Sequence, residues 1–220
     1  MSKNDVKILV IGESCVDVFV YGSVTRLAPE GPIPVFNPID TEEKRFPGMA
    51  SNVHKNVATI LGGFENAGLH TNENHQTITK IRFVERISNH LLLRVDNDNQ
   101  TYGRVNLDEI QFECYDAVII SDYNKGFLTE DDISLISTKH NLTILDTKKI
   151  LGLWAGQCTF IKINENEYEK TKSVVSSGLK KKLIVTMGSA GAKWKNKIYP
   201  AQDVNRKDTS GAGDTFVAAF

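Results

Sequence analysis

The chain has 220 residues, 40% hydrophobic and 24% charged, with a formal net charge of −1. That suffices for one sizeable core in a single globular domain, and it leaves no basic footprint for a nucleic-acid partner. Cys15, Cys114 and Cys158 form no C-x-x-C pair, which argues against a zinc site or disulfide framework and fits a reduced, cytoplasmic setting.

In chain order, the opening MSKNDVKILVIGES holds too short an apolar run for a signal peptide or a membrane span. Its apolar part, Val6 to Gly12, reads as a buried strand of a parallel sheet. Val16 to Pro38 alternates and then turns rich in proline and glycine, which predicts short edge strands and turns of a small β-flap. Met49 to Leu61 places Val53, Val57, Ile60 and Leu61 at helical spacing, and Gly62 and Gly63 stop it. ENAGLHTNENHQ, before Thr77, reads as a polar linker. Ile78 to Val84 and Leu91 to Val95 read as strands of a second flap part, so the flap spans about residues 14–45 and 78–105.

Ala117 to Ser121, Leu142 to Leu145, Thr159 to Ile163 and Leu183 to Thr186 are candidate core strands. Thr129 to Asp132 opens a helix with a capping-box pattern. Apolar strands alternating with helices predict an α/β domain with a mainly parallel sheet, whose ligands bind beyond the carboxyl ends of the strands. Glu13, Asp122, Asp146 and Asn164 lie at those ends.

The most informative segment is DTSGAGDTF, Asp208 to Phe216. Gly211 and Gly213 permit a tight turn and close approach to a ligand, and the apolar run after them opens a helix whose free N–H groups suit a phosphate. Asp214 in this turn would repel that phosphate, unless its task is to take a proton from a hydroxyl that attacks it. The segment therefore points to phosphoryl transfer from a nucleotide to an alcohol. Taken alone, a G-x-G turn is more often an ordinary loop, Asp17 a surface acid, and Asn164 with Glu167 a solvated first helical turn. Arg82 and Lys125 offer fixed positive charge, and each alone would pass for a surface cation.

Together these segments resemble, in collinear order, the pfkB (ribokinase-like) carbohydrate kinases. DTSGAGDTF looks like the family's C-terminal signature, including Asp208 and Thr209. Pro47 to Val53 looks like its first signature, with Gly48 followed by Met49 where the family usually has two glycines. Asn164 and Glu167 match its N-x-x-E, and Val185 to Gly191 its V-T-x-G-x-x-G. LAPEGPIPVF, KIRF, LLRVD and SDYNKG resemble the heptose 7-phosphate kinase branch.

The resemblance implies a ribokinase-like fold with a β-lid and a small-molecule sugar or sugar-phosphate substrate. It implies Asp214 as base, with the N–H groups of Gly211, Ala212 and Gly213 steadying the transferring phosphoryl group. Asp17, Gly48, Asn52, Arg82, Asp122 and Lys125 would bind the acceptor. Asn164, Glu167, Thr186, Gly188, Gly191, Asp208 and Thr209 would bind ATP, and Glu167 would order the waters of Mg²⁺. A homodimer through the flap is implied as well. Family members insert a further strand and helix between Gly63 and Thr77, so the sheet should be smaller there. They also continue beyond Phe220, where part of their adenine pocket lies. A minimal kinase, a kinase of another sugar or nucleoside, and a non-catalytic binding protein all remain open on this reading.

Overall fold

The computed structural model describes residues 6–195, 197–202 and 211–220. The strands are β1 Ile8–Gly12, β2 Ser14–Leu27, β3 Pro34–Met49, β4 Ala67–His70, β5 Thr79–Glu85, β6 Leu91–Asn97, β7 Ala117–Asp122, β8 Thr143–Thr147, β9 Phe160–Asn164, β10 Leu183–Thr186, β11 Ala192–Trp194 and β12 Lys197–Tyr199. The helices are α1 Ala50–Leu61, α2 Glu130–Lys139, α3 Glu165–Thr171, α4 Ser177–Lys182 and α5 Ala212–Ala219.

Eight strands form the main sheet in the order β12-β11-β10-β9-β8-β7-β1-β4. Pairing is parallel from β4 to β10, and antiparallel for β11 and β12, which extend the sheet past β10. Side chains alternate across a strand, so each core strand feeds two layers. Leu9, Ile11, Val118, Ile120 and Leu145 pack with Ile133 and Ile136 of α2 and Leu179 of α4. Val10, Ile119 and Ile144 face the other way, onto Val53, Val57 and Ala58 of α1 and Val217 and Ala218 of α5. The predicted α/β architecture is therefore the observed one, with α1 and α5 sharing one face.

The second sheet, β3-β2-β5-β6, is the flap. β2 and β3 form a hairpin of 14 and 16 residues, where the sequence predicted short strands and turns. The prolines mislead because β3 is an edge: Pro38 and Pro47 sit on a strand paired on one side only, where a missing N–H costs no ladder bond. The segment read as a polar linker contains β4, which pairs in parallel with β1 at the sheet edge. Ala67, Gly68, Leu69 and His70 hold one large aliphatic residue, too little apolar signal to mark a strand. No helix among the described residues is long and apolar enough to cross a membrane.

Two backbone details bring the flap base to the site. Met49, where the motif usually has its second glycine, adopts φ 59° and ψ −132° at the entry to α1. That region is open to glycine and costs other residues about 1–3 kcal/mol. The side chain is nevertheless buried. The helix ends as predicted, on Gly62 at φ 86°.

Candidate active site

Asp214 is nearly buried in the first turn of α5, behind Gly211 at φ 77°. Asn52 of α1 donates to its Oδ2 at 2.8 Å, and the Tyr123 hydroxyl donates to its Oδ1 at 2.7 Å. The packing of α5 on α1 makes the first contact, with Asn56 donating to Thr215 alongside it. Gly211 needs its left-handed backbone, and both glycines flanking Ala212 leave room for a neighbouring side chain. A Cβ on Gly211 would come within 2.8 Å of the Asn52 amide, and one on Gly213 within 3.0 Å of the Lys162 ammonium.

Two clefts meet at Asp214. The first, about 740 Å³, lies under the flap and is lined by Asp17, Phe19, Asn52, Lys80, Arg82 and Lys125 among others. The second, about 760 Å³, runs over the carboxyl ends of β8 to β10 and is lined by Asp146, Lys162, Asn164, Thr186, Gly188 and Gly191 among others. Tyr123, Lys148, Gly211 and Asp214 line both.

In the flap cleft, Arg82 donates to Asp17 Oδ1 at 2.5 Å, and its guanidinium lies 5.2 Å from the Phe19 ring centroid. Gly48 makes room for this pair, since a Cβ there would meet Asp17 Oδ2 at 2.8 Å. Lys125 is bound to Asp98 at 2.6 Å, and Arg94 to Asp96 through two bonds. Lys80 is only 8% exposed and lies 5.5 Å from the Tyr123 ring centroid. Six cations and four carboxylates line this cleft, so its field is positive.

In the second cleft, Lys162 pairs with Asp146 at 2.9 Å. Desolvation nonetheless pushes the Asp146 carboxyl up, with Lys162 opposing. Asn164 and Glu167 form a reciprocal cap on α3. Asn164 accepts from the Glu167 N–H, Glu167 Oε2 accepts from the Asn164 N–H, and Glu167 Oε1 accepts from Lys148 at 2.9 Å. The N-x-x-E spacing is thus an N-cap that seats α3 at the cleft edge.

Three described candidates line neither cleft: Gly48, Asp122 and Glu167. Asp122, expected to bind acceptor, is 2% exposed and accepts from Thr147, Lys149 and the Asn124 N–H, so it holds the β7 and β8 ends together. Asp208 and Thr209 lie outside the described residues. The other candidates line one cleft or buttress it: Asp17, Asn52, Arg82 and Lys125 the first, Asn164, Thr186, Gly188 and Gly191 the second, Gly48 and Glu167 behind them.

Four side chains of the site were not singled out from sequence: Lys80, Tyr123, Lys148 and Lys162. Lys162 carried a signal, being a cation inside the apolar strand FIKIN. Glu13 was read only as a residue at a strand end. It is fully buried and accepts from the N–H groups of Tyr123 and Lys125, at 2.8 and 2.9 Å, so it shapes the loop that presents both.

Among the described residues, no three His, Cys, Asp or Glu side chains converge on a metal. The donors present suit a magnesium ion that keeps most of its water shell, as magnesium does. Asp146 faces the second cleft with Oδ2 on Lys162, and Glu167 has two of its roughly four lone-pair sites filled.

Known proteins resemble this chain in sequence and in fold. The profile of the pfkB family carbohydrate kinases matches residues 63–220. The chain is 28% identical to the Bifunctional protein HldE of Haemophilus ducreyi over 265 residues, covering 98% of this chain and 55% of that protein. It is 28% identical to the protein of the same name from Caulobacter vibrioides, covering 97% and 54%. It therefore spans about half the length of these relatives. Among solved structures, ribokinase of Thermotoga maritima superposes with a TM-score of 0.63 at 16% identity, covering 97% of this chain and 84% of that one. Arabidopsis thaliana ribokinase, complexed with ribose and ATP, superposes with a TM-score of 0.60 at 13% identity, covering 97% and 84%.

Proposed function

The chain belongs to the pfkB family of carbohydrate kinases, and we propose that it transfers the γ-phosphoryl group of ATP to a hydroxyl of a sugar that already carries a phosphate. The observation that carries this reading is the meeting of two clefts at one buried carboxylate, Asp214. The acceptor occupies the flap cleft with its hydroxyls on Asp17 and Asn52, and ATP occupies the cleft over β8 to β10. The acceptor hydroxyl gives its proton to Asp214 as its oxygen bonds to the γ-phosphorus. The bond from that phosphorus to the β–γ bridging oxygen breaks, and ADP leaves. The N–H groups at the start of α5, with Lys148 and Lys162, offset the charge on the transferring group. Magnesium, when bound, would neutralise and orient the ATP phosphates, with Asp146 and Glu167 holding it through water.

The positive field of the flap cleft supports an anionic acceptor, and the branch resemblance makes a heptose 7-phosphate the leading candidate. Arg82 and Lys125 are already paired with Asp17 and Asp98. Lys55 and Lys80, which line the same cleft and form no ion pair among the described residues, join them as cations available to a substrate phosphate. The test is ADP release from ATP and Mg²⁺ with heptose 7-phosphate beside a panel of unphosphorylated sugars and nucleosides, wild type against Asp214→Asn. Release that needs a phosphorylated sugar and disappears in the variant supports the reading. Turnover with an unphosphorylated acceptor moves the substrate class, and no turnover from folded protein leaves a binding protein.

A homodimer through the flap is part of the same proposal. Leu93 and Val95, paired with Phe83 and Ile81, are exposed on the face of the flap that turns away from the cleft. Sedimentation of wild type against Leu93→Glu decides it: a dimer that the charge dissociates is expected. The free cysteines Cys15, Cys114 and Cys158 fit a reducing, cytoplasmic compartment.

A further inference from the structure

We infer that Tyr123 is a positioning residue for the transfer step: its phenolic O–H aims the Asp214 carboxylate at the junction of the two clefts. The inference rests on the proposed kinase reading for its kinetic consequence, and on geometry alone for the contact itself.

Asp214 sits in the first turn of a short helix with glycine at its N-cap and again at position 213, so its carboxylate needs outside support to hold one direction. Two donors supply it from different elements. Asn52 reaches Oδ2 from α1, and Tyr123 reaches Oδ1 from the end of β7. With one donor on each oxygen, the carboxylate plane is fixed, and the remaining lone pairs are directed at fixed points in the clefts. A single donor would leave the group free to turn about that bond.

Tyr123 is itself over-determined. Its N–H is held by Glu13, a carboxylate with no solvent exposure that also holds the Lys125 N–H. Its ring carries two ammonium groups, Lys80 of the flap cleft at 5.5 Å and Lys148, which lines both clefts, at 5.1 Å from the centroid. The ring is thus part of the wall between acceptor and nucleotide. Burial and the charge of Asp214 push its phenol well above the ordinary tyrosine value, so it stays a donor throughout the working pH range. The charged groups around the pair are Lys55 from α1, Lys80 from β5, Asp146 and Lys148 from the end of β8, and Lys162 from β9. Tyr123 through its hydroxyl and Asn52 through its amide donate to Asp214.

The experiment separates aiming from wall-building. Tyr123→Phe keeps the ring and both cation contacts and removes only the hydroxyl. Loss of one directed hydrogen bond to a charged base is expected to lower kcat about tenfold, with KM for ATP and for the acceptor within about twofold. Replacing Tyr123 with 4-aminophenylalanine restores an N–H donor at the same place and is expected to recover most of the loss. Proton NMR of the unliganded protein gives a readout independent of turnover. A low-field hydroxyl resonance is expected in wild type and should vanish in both Tyr123→Phe and Asp214→Ala. Wild-type kcat in Tyr123→Phe overturns the inference, as does a raised KM with unchanged kcat, which would leave Tyr123 a wall residue. If wild type turns over no acceptor, the kinase reading falls, and the presence or absence of that resonance still decides the contact.

Discussion

Asn52 and Asp214 stand 162 positions apart in the chain, yet the amide of one meets the carboxylate of the other at 2.8 Å. The bond ties the first helix after the flap hairpin to the last helix described, and it holds the carboxylate proposed as the base. Asp214→Asn preserves an acceptor oxygen for Asn52 or Tyr123, so the fold should hold. It removes the base, and kcat should drop by about 10²- to 10⁴-fold. ATP affinity should stay level or rise, because a negative charge beside the phosphates is gone. Calorimetric titration of ATP beside the ADP assay checks both halves. Weakened ATP binding with unchanged kcat would mean that Asp214 serves the nucleotide and not the hydroxyl.

The space above Gly48 belongs to Asp17. A methyl group there would lie 2.8 Å from Asp17 Oδ2 and 2.8 Å from Cys15 Sγ. The carboxylate is the softer neighbour, being the end of a side chain partly open to the cleft, so Gly48→Ala should push Asp17 away from its place opposite Arg82. Acceptor KM should rise about tenfold, the worth of one misplaced charge-assisted hydrogen bond. Overpacking against Cys15 should cost about 1–3 kcal/mol in stability. ATP affinity should not change, since Gly48 lies in the other half of the site. Equal losses for both substrates would point to general unfolding in place of a local shift.

What the sequence made legible follows from how local each signal is. The GAGD turn, the helix stop at Gly62 and the cap at Thr129 are written within four or five residues, and each is found where expected. β7 and β8 were legible because both faces of each are buried, which demands an unbroken apolar run. β4 was not, since an edge strand buries little and needs no such run. The length of the flap hairpin was hidden by prolines whose harmlessness depends on β3 being an edge, a fact of topology. The site divides the same way. Asp214 and its glycines are a local motif, whereas the Tyr123 contact joins residues 91 positions apart and the burial of Asp122 depends on Lys149 and Thr147 from the next strand.

Glu13 predicts a pH dependence of stability. Desolvation first, then the charge of Asp122, raise its carboxyl above the ordinary glutamate range, although the N–H groups of Tyr123 and Lys125 pull the other way. A raised folded value means that the folded state holds the proton more tightly than the unfolded chain. Stability from this group is therefore fully present below the unfolded value, about 4.3, and is lost as pH rises through the folded value. Glu13→Gln has no such dependence. Urea unfolding at a series of pH values from about 4 to 8 should show wild type losing ground relative to Glu13→Gln as pH rises, then a constant difference. A wild-type advantage that grows with pH would show that the two N–H groups outweigh burial.

Met49 reverses an ordinary rule about glycine. In most positions alanine is more stabilising than glycine, because glycine loses more conformational freedom on folding. At φ 59° and ψ −132° a Cβ is penalised, and that penalty of about 1–3 kcal/mol exceeds the entropy advantage of about 0.5–1 kcal/mol. Met49→Gly should therefore be more stable than Met49→Ala, by roughly 1 kcal/mol. Both should fall below wild type, since Met49 is 3% exposed and its removal opens a cavity costing about 2–5 kcal/mol. The net deficit of Met49→Gly should then be the smaller of the two, because relief of backbone strain offsets part of the lost packing. Thermal melting of the three proteins side by side gives the order. Alanine above glycine would mean that the backbone at position 49 relaxes out of the left-handed region once the methionine side chain is gone.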